Sequence, residues 1–233
     1  MDGRFGYNVE KHFGAFMKTY DYILFDLDGT VSDSKPGIIT CIKYALDGKG
    51  IKHPPAEIFD KMVGPPFRVS MKEFLGLDMP MIEQLITLYR GKYEVDGWRD
   101  CCLYDGMTDV FAALKSAGKK LAIATSKPLK FTHLMIEGLG LNEYFDFVGG
   151  ASCDASAETK ADVIELVLKN LKAEDRSRVL MLGDRLYDIE GAHACGLDCG
   201  AVMWGYGNLE EFKEYGADYI LDTPDDIVKL VLG

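Results

Sequence analysis

The chain has 233 residues, of which 48% are hydrophobic and 27% charged, so it is long enough for one large α/β domain or a core with a smaller insert. Its formal net charge of −11 argues against generic binding to nucleic acid or to an anionic membrane, because both need a cationic face. No apolar stretch approaches the roughly 20 residues that span a bilayer.

Six cysteines are scattered at positions 41, 101, 102, 153, 195 and 199, and the N-terminus shows no apolar signal-peptide region. We therefore expect reduced thiols and a cytoplasmic location. His193, Cys195 and Cys199 miss the paired spacing of the usual zinc ligands, and a helix-to-turn segment of small residues explains them better.

The first 20 residues mix polar and aromatic side chains without a clear period. Met17 and the three residues after it run straight into the first apolar segment. We expect residues 1–20 to form a loosely held arm, or an extension upstream of a native start at Met17.

The first strand is predicted at Tyr22–Phe25, a compact apolar run typical of a buried parallel strand. It ends at Asp26, with Asp28 two residues on and Gly29 allowing a sharp turn. Asp26 can attack phosphorus and form an aspartyl phosphate, with Asp28 as general acid and base. Taken alone, the segment is equally compatible with a turn or a weak calcium-binding loop.

Residues 36–100 show a different pattern, in which helical segments are broken by proline pairs at positions 54–55 and 65–66. Apolar residues recur at positions 81, 82, 85, 86, 88 and 89, and no buried-strand run appears. The pattern predicts a small helical insert at 36–100, within a core formed by residues 21–35 and 101–233.

Between residues 104 and 222, apolar strand-like runs alternate with amphipathic helical segments. Strands are predicted at 121–124, 145–148, 179–182, 200–203 and 218–221, and helices at 108–117 and 161–171. This alternation predicts an α/β fold with a parallel sheet covered by helices on both faces. In such sheets the functional site lies beyond the carboxyl ends of the strands.

Two groups suited to phosphate come later in the chain. Thr125, at the end of its strand, offers a hydroxyl and a backbone N–H to a phosphoryl oxygen, with Ser126 and Lys127 as neighbouring substrate contacts. Lys160, opening an amphipathic helix, brings a compact positive charge to Asp26. Each also has an ordinary explanation: Thr125 as a strand-end hydroxyl, and Lys160 as a solvated lysine that is unfavourable for the helix dipole.

Asp184 and Asp188 follow the strand at 179–182 and supply further oxygen ligands for a hard cation. Mg²⁺ would offset the repulsion between an attacking carboxylate and a dianionic phosphate. We predict Asp26, Asp28 and Asp184 as its ligands, with Asp188 orienting Asp184 or the metal's waters. Alternatively, Asp184 and Asp188 simply cap the following helix. We prefer the joint hypothesis because one phosphoryl-transfer chemistry explains all the motifs in order.

These motifs resemble those of the haloacid dehalogenase-like hydrolase superfamily, specifically its phosphoglycolate-phosphatase-like branch. The stretch from Phe25 to Ser34 is similar to the first motif, residues 124–128 to the second, Lys160 to the third, and residues 183–188 to the fourth. The resemblance implies a Rossmann-like core with a helical cap inserted after the first motif. It also implies Mg²⁺-dependent hydrolysis of phosphomonoesters through phospho-Asp26.

The resemblance further implies that the cap supplies specificity residues. The segment from Gly64 to Arg68 is similar to the cap's substrate loop, so Arg68 is a candidate contact for the leaving group, with a solvated helix arginine as the alternative. The expected partner is a small phosphorylated metabolite such as phosphoglycolate. A nucleoside 5′-monophosphatase, a phosphomutase and a catalytically quiet regulatory protein are the alternatives, and the oligomeric state is left open between monomer and homodimer.

Overall fold

The computed structural model describes residues 18–152 and 159–233. Most of the predicted N-terminal arm, residues 1–17, therefore lies outside the described residues, as does Cys153. Within the part of the chain that is described, no helix combines the length and the apolar character needed to cross a membrane.

A six-stranded parallel sheet forms the centre of the core. The strands of the described residues are β1 (Tyr22–Phe25), β2 (Ser32–Asp33), β3 (Cys102–Leu103), β4 (Lys120–Pro128), β5 (Phe147–Ala151), β6 (Val179–Gly183), β7 (Asp198–Val202) and β8 (Tyr219–Leu221). In the sheet they lie in the order β5-β4-β1-β6-β7-β8, while the short β2 and β3 pair with each other in antiparallel fashion. β1 is thus a central strand.

Helices cover both faces of this sheet. The helices of the described residues are α1 (Lys35–Asp47), α2 (Ala56–Met62), α3 (Phe67–Leu75), α4 (Met79–Val95), α5 (Met107–Ser116), α6 (Leu129–Gly138), α7 (Lys160–Leu171), α8 (Leu186–Ala194), α9 (Leu209–Glu214) and α10 (Pro224–Leu232), of which α5–α10 pack on the sheet. Along β1, Ile23 and Phe25 are buried in the cluster that includes α5, α6 and α10, whereas Leu24 is buried in the cluster of α7, α8 and α9. Successive side chains of a strand point to opposite faces of the sheet, so a strand buried on both faces needs apolar residues at every position, as β1 has. The predicted α/β fold is confirmed.

The predicted strands are present with shifted bounds. β4 continues past the predicted end at Ala124, because β5 pairs with it at both Thr125 and Pro128, and the register shifts between these two positions. β5 begins at Phe147, whereas its predicted start was residue 145. β7 spans Asp198–Val202, whereas the predicted strand was 200–203. Pairing with neighbouring strands, which the local sequence does not specify, sets these bounds.

Helices α1–α4 form the insert between β2 and β3, here called the cap. They bury a hydrophobic cluster of their own, whose most buried members include Leu46, Met71, Ile82 and Leu85. Pro55 and Pro66 stand immediately before α2 and α3, where a proline tolerates the change from extended to helical backbone. The Rossmann-like core therefore carries a small helical cap.

Candidate active site

The topology brings the predicted motifs to one edge of the sheet. β1 lies between β4 and β6, so Asp26 and Asp184, which directly follow β1 and β6, stand at the same edge of the sheet as Thr125 in the last part of β4. The backbone N–H of Asp26 donates to the carbonyl of Leu182 at 2.8 Å, which continues the β1–β6 ladder up to the site. The side chains that the sequence separates by more than 150 residues are therefore neighbours.

Three buried carboxylates form an acidic cluster. Asp26, Asp184 and Asp188 each place a carboxylate oxygen within 4.8 Å of the other two. Asp184 is fully buried, and Asp26 is only 9% exposed. Three negative charges held this closely away from water repel one another strongly, so the cluster needs positive charge nearby.

Lys160 supplies the only ammonium group that the described ion pairs place on this cluster. Its Nζ lies 2.7 Å from Asp26 and 2.6 Å from Asp188, and the side chain is 5% exposed. Lys160 is the first residue of α7, whose start is fixed by a capping box between Thr159 and Asp162. A lysine in the first turn is unfavourable for the helix dipole, and here the two carboxylates offset that cost.

Asp188 has two roles at once. One oxygen accepts from the backbone N–H groups of Asp184 and Arg185, at 3.1 and 3.0 Å, at the start of α8. The other oxygen pairs with Lys160 at 2.6 Å. Asp188 therefore does cap the start of α8, as one of the two hypotheses predicted, and in addition it forms an ion pair with Lys160.

The electrostatics of the cluster follow from its burial. Burial raises the pKa of Asp26 to about 6, although Lys160 opposes the shift, and burial likewise raises the pKa of Asp184 well above its usual range. For Lys160, burial lowers the pKa but the charges of Asp188 and Asp26 outweigh it, so the pKa is raised. One ammonium does not balance three carboxylates, and this donor set of buried oxygens fits a hard divalent cation.

The carboxylate of Asp28 is not a member of the acidic cluster. It accepts from the Lys127 ammonium through both oxygens, at 2.9 and 2.7 Å, and from the Ser34 hydroxyl at 2.5 Å. The structure thus separates the side chains of the two motif aspartates: Asp26 bonds to Lys160, and Asp28 bonds to Lys127.

Lys127 is oriented by the irregular end of β4. The register shift between Thr125 and Pro128 includes Lys127, whose side chain is only 6% exposed. Its Nζ lies 4.6 Å from the ring centre of Tyr93, a cap residue of α4, which is close enough for a cation–π contact. Thr125 is buried, and its hydroxyl accepts from the Lys127 backbone N–H at 3.3 Å. Ser126, between them, is exposed.

The contacts of Arg68 lie within the cap. Its guanidinium donates to both oxygens of Glu83 on α4, at 2.7 and 3.1 Å, and its side chain is 30% exposed. Among the described residues, these hydrogen bonds connect Arg68 to Glu83 and not to the acidic cluster. The position is compatible with either explanation given above, and its role in substrate selection stays a prediction.

Sequence reasoning missed the loop after β7. The Tyr206 backbone N–H donates to Asp184 at 2.7 Å, and its hydroxyl donates to Asp33 at 3.1 Å and accepts from the backbone N–H of Ser34 at 2.9 Å. Gly205 passes so close to Asp184 that a Cβ would lie 2.3 Å from that residue's Cβ. The signal for this approach was the pair of glycines, Gly205 and Gly207, directly after a buried strand.

Comparisons with known proteins identify relatives of this chain. Residues 23–202 match the family model described as haloacid dehalogenase-like hydrolase. The chain is 35% identical over 206 residues to the tyrosine-protein kinase PtkA of Mycobacterium tuberculosis, covering 88% of this chain and 67% of that protein. It is 31% identical over 198 residues to a 5′-nucleotidase of Pseudomonas aeruginosa, covering 84% of this chain and 88% of that protein.

Phosphatases are found both among the curated relatives and among the solved structures. A phosphoglycolate phosphatase of Colwellia psychrerythraea is 26% identical over 216 residues, covering 89% of this chain and 95% of that protein. The crystal structure of a predicted phosphatase from Clostridium acetobutylicum superposes with a TM-score of 0.86 at 36% identity, covering 92% of this chain and 99% of that one.

Proposed function

Because the chain belongs to the haloacid dehalogenase-like hydrolases, we propose that it hydrolyses small phosphomonoesters through a phosphorylated Asp26. The chain is a phosphoric monoester hydrolase, like the phosphatases that it resembles in sequence and fold. One observation above all supports Asp26 as the nucleophile. Its carboxylate stands at the carboxyl end of the central strand, 2.7 Å from the Lys160 ammonium and beside Asp184 and Asp188.

In the first proposed step, a carboxylate oxygen of Asp26 forms a bond to phosphorus while the ester P–O bond breaks. The leaving alkoxide takes a proton from Asp28, which ends the step as a carboxylate. Lys160 holds Asp26 in place and keeps positive charge beside the phosphoryl group as its bonds change.

In the second proposed step, water attacks the same phosphorus and the acyl phosphate bond to Asp26 breaks. Asp28 removes the proton of the attacking water and so returns to its protonated form, and inorganic phosphate leaves. Asp28 lies two residues from Asp26, so a single carboxylate is available for both proton transfers.

The ion pair between Lys127 and Asp28 links substrate binding to this proton transfer. An incoming phosphoryl dianion competes with Asp28 for the Lys127 ammonium, which lies 2.7 Å from the carboxylate. Once Lys127 turns to the phosphoryl group, the Asp28 carboxyl is released from this ion pair and can face the leaving oxygen. The Thr125 hydroxyl and Ser126 are the other proposed contacts for phosphoryl oxygens.

The acidic cluster fits Mg²⁺, which we propose as the cofactor. Asp26 and Asp184, with the backbone carbonyl of Asp28, would hold the ion, and Asp188 would orient Asp184 through its backbone N–H. When bound, the ion would neutralise charge between the Asp26 carboxylate and the phosphate. Tyr206 and Thr30, at 2.7 and 3.4 Å from Asp184, keep that carboxylate facing the cluster.

For the domain organisation we propose residues 21–35 and 101–233 as the core and residues 36–100 as the cap domain. The separate hydrophobic cluster of α1–α4 supports this division. In this proposal the cap selects the leaving group, and Arg68 is its candidate contact. Substrates then share the phosphoryl chemistry and differ in how they fit the cap.

Two relatives suggest alternatives to a phosphoglycolate-like substrate. The 5′-nucleotidase, at 31% identity, favours a nucleoside 5′-monophosphate. The relative named a tyrosine-protein kinase, at 35% identity, suggests transfer to a tyrosine hydroxyl in place of water. Both alternatives use the same aspartyl phosphate and change only the donor or the acceptor.

A phosphate-release screen tests the proposal. Phosphoglycolate, nucleoside 5′-monophosphates, sugar phosphates and ATP are each incubated with Mg²⁺, and ATP is also tested with a tyrosine-containing peptide. We expect phosphate release from at least one small phosphomonoester, abolished by Asp26→Asn. Asp21→Asn, at the opposite end of the same strand, is the matched control and should keep activity. Full turnover by Asp26→Asn would contradict the assignment of the nucleophile.

A further inference from the structure

Arg185, the residue directly after Asp184, reaches from the core to the cap. Its Nη1 donates to the backbone carbonyl of Val63 at 3.2 Å. Val63 is buried and follows α2, at the start of the segment 63–66 that leads into α3. A residue of the fourth motif therefore contacts the residue directly before Gly64–Arg68, the segment that the family resemblance implies to be the cap's substrate loop.

The core fixes the direction of this guanidinium. Glu211 on α9 accepts from Arg185 Nε at 3.0 Å and from Nη2 at 3.4 Å, and the two side chains are only 16% and 15% exposed. The Glu211 oxygen that accepts from Nε, Oε1, also accepts from the Leu186 backbone N–H at 2.8 Å. Because Nε and Nη2 are held by the core, Nη1 remains for the cap.

The cap side of the contact is shaped for the guanidinium. Gly64 has a φ of +106°, and a Cβ at this position would lie 2.0 Å from Arg185 Nη1. A side chain there would be strained and would also displace the arginine. Pro65 and Pro66 follow, so the segment has little freedom to adjust elsewhere.

The contact is also connected to the carboxylate cluster. The Arg185 backbone N–H donates to the Asp188 oxygen that accepts from the Asp184 N–H, at 3.0 and 3.1 Å respectively. A short chain of hydrogen bonds therefore runs from Asp184 and Asp188, through Arg185, to Val63. Apart from the bond between Asp184 and Asp188, none of these bonds has a part in the function proposed above.

We infer that Arg185 is a positioning residue that seats the cap segment 63–66 over the active site. This inference rests on the proposed function of that site. A seated cap is the form of the enzyme that binds substrate, so loss of the contact lowers the fraction of competent molecules and weakens apparent affinity. At saturation the bound substrate itself keeps the cap segment seated, and the rate of the chemical steps is preserved.

The test compares Arg185→Ala with the wild type, using p-nitrophenyl phosphate and Mg²⁺. We expect KM to rise about tenfold while kcat changes less than about twofold, the pattern of a smaller competent fraction. A fall in kcat at unchanged KM would overturn the inference, because Arg185 would then act on the chemistry. Unchanged values of both constants would overturn it as well.

Arg176→Ala is the matched control. Arg176 also forms a forked pair with a glutamate, Glu165, at 2.5 and 2.9 Å, and also donates to a backbone carbonyl, that of Cys195, at 2.7 Å. None of these partners belongs to the cap. Its loss should leave KM unchanged, and an equal rise in KM would show that the effect is general destabilisation.

Hydrogen exchange separates a failure of this inference from a failure of the proposed function, because it needs no turnover. Arg185→Ala should speed exchange in peptides covering residues 61–72, with core strands unchanged. If the wild type is inactive on every phosphate ester, hydrogen exchange still decides whether Arg185 seats the cap. Unchanged exchange rates in Arg185→Ala would overturn the inference. Should Arg185→Ala fail to fold, Glu211→Gln weakens the same guanidinium anchor and is measured in the same two ways.

Discussion

The Lys160 ammonium lies 2.7 Å from the Asp26 carboxylate, in a site where both side chains are largely withdrawn from water. The pair joins the first residue of a helix to the residue after the central strand, across 134 positions of the chain. Neither group is stable there alone, because an unpaired charge in a buried site carries a large desolvation cost.

Replacing Lys160 with methionine removes this charge and leaves Asp26 and Asp188 without their cation. We expect the free energy of unfolding to fall by about 3–5 kcal/mol and kcat to fall by about 10²–10³-fold. Urea denaturation and p-nitrophenyl phosphate turnover provide the measurements. Lys169→Met, at an exposed position of the same helix, is the control and should change neither quantity appreciably. A fully active Lys160→Met enzyme would remove the lysine from the proposed mechanism.

Mg²⁺ should stabilise the folded protein in the absence of any substrate. At a concentration of 100 times its Kd, a ligand that binds only the folded state adds about 2.7 kcal/mol, which differential scanning calorimetry detects as a higher Tm. Asp184→Asn should abolish the shift, whereas Asp222→Asn, at an exposed position, should retain it. EDTA should silence turnover and Mg²⁺ restore it. Indifference of both Tm and turnover to the metal would contradict the cofactor assignment.

Lys127→Met should lower kcat/KM for p-nitrophenyl phosphate by about 10²-fold, because the phosphoryl group loses a buried cation and Asp28 loses its partner. Lys130→Met is the natural comparison. Lys130 is three residues away and pairs with Glu94, but its side chain is 53% exposed. We expect no more than a small change there, and equal losses in both variants would argue against a specific role for Lys127.

Arg68→Ala should change the ranking of substrates more than it changes turnover of p-nitrophenyl phosphate. Glu83→Ala is the informative companion, since it removes the carboxylate that holds the Arg68 guanidinium at 2.7 Å and leaves the arginine in place. The two variants should alter selectivity in different ways, while Lys72→Ala on the same helix alters nothing. Equal losses on every substrate would show that Arg68 does not select the leaving group.

Asp146 makes the stability of the fold depend on pH. Burial opposes its ionisation, but hydrogen bonds from Lys115, Lys120 and the Leu121 backbone N–H outweigh burial and lower its pKa to about 2. A lowered pKa means that the carboxylate stabilises the fold above its ordinary pKa of 3.8, and that this contribution is lost as the pH falls from about 4 to about 2.

Asp146→Asn should therefore lower the free energy of unfolding at pH 7 by about 1 kcal/mol, because solvent screens part of these interactions, with the difference from wild type shrinking below pH 4. Denaturant unfolding at pH 7, 4 and 2.5 measures it, and Glu143→Gln, an exposed neighbour, is the control. If the difference in unfolding free energy between Asp146→Asn and the wild type is the same at all three pH values, the lost stability comes from packing and not from the charge of Asp146.

The sequence places Asp26 and Asp184 directly after predicted strands and Lys160 at the start of a predicted helix, and the structure brings the three together, while their catalytic roles stay predictions. The periodicity of strands and helices can be recognised in the local sequence. The topology of a parallel sheet then determines which strand ends lie side by side. The contact between Lys127 and Asp28 was not predictable in this way, since it depends on a register shift near the end of β4 that arises from pairing with β5.

The roles of Tyr206 and Arg185 were also beyond the sequence. Both residues act through backbone groups of distant segments: Tyr206 at Ser34, and Arg185 at Val63. Because almost any residue offers a backbone carbonyl or N–H, the residue type of the partner does not reveal the contact in the sequence. Only the glycines that permit the close approach, such as Gly64 and Gly205, mark these places in the sequence.

The chain contains two tryptophans. Trp204 donates from its indole to the Thr30 carbonyl at 3.0 Å, in the loop whose next residues meet Asp184, and Trp98 lies against Gly138, just after the last cap helix. Their indoles thus give the molecule two built-in optical probes, one beside the acidic residues and one where the cap joins the core. Replacing either with phenylalanine would assign the intrinsic fluorescence, so that changes at the acidic residues and at the junction of cap and core could be followed separately in stopped-flow experiments without any attached dye.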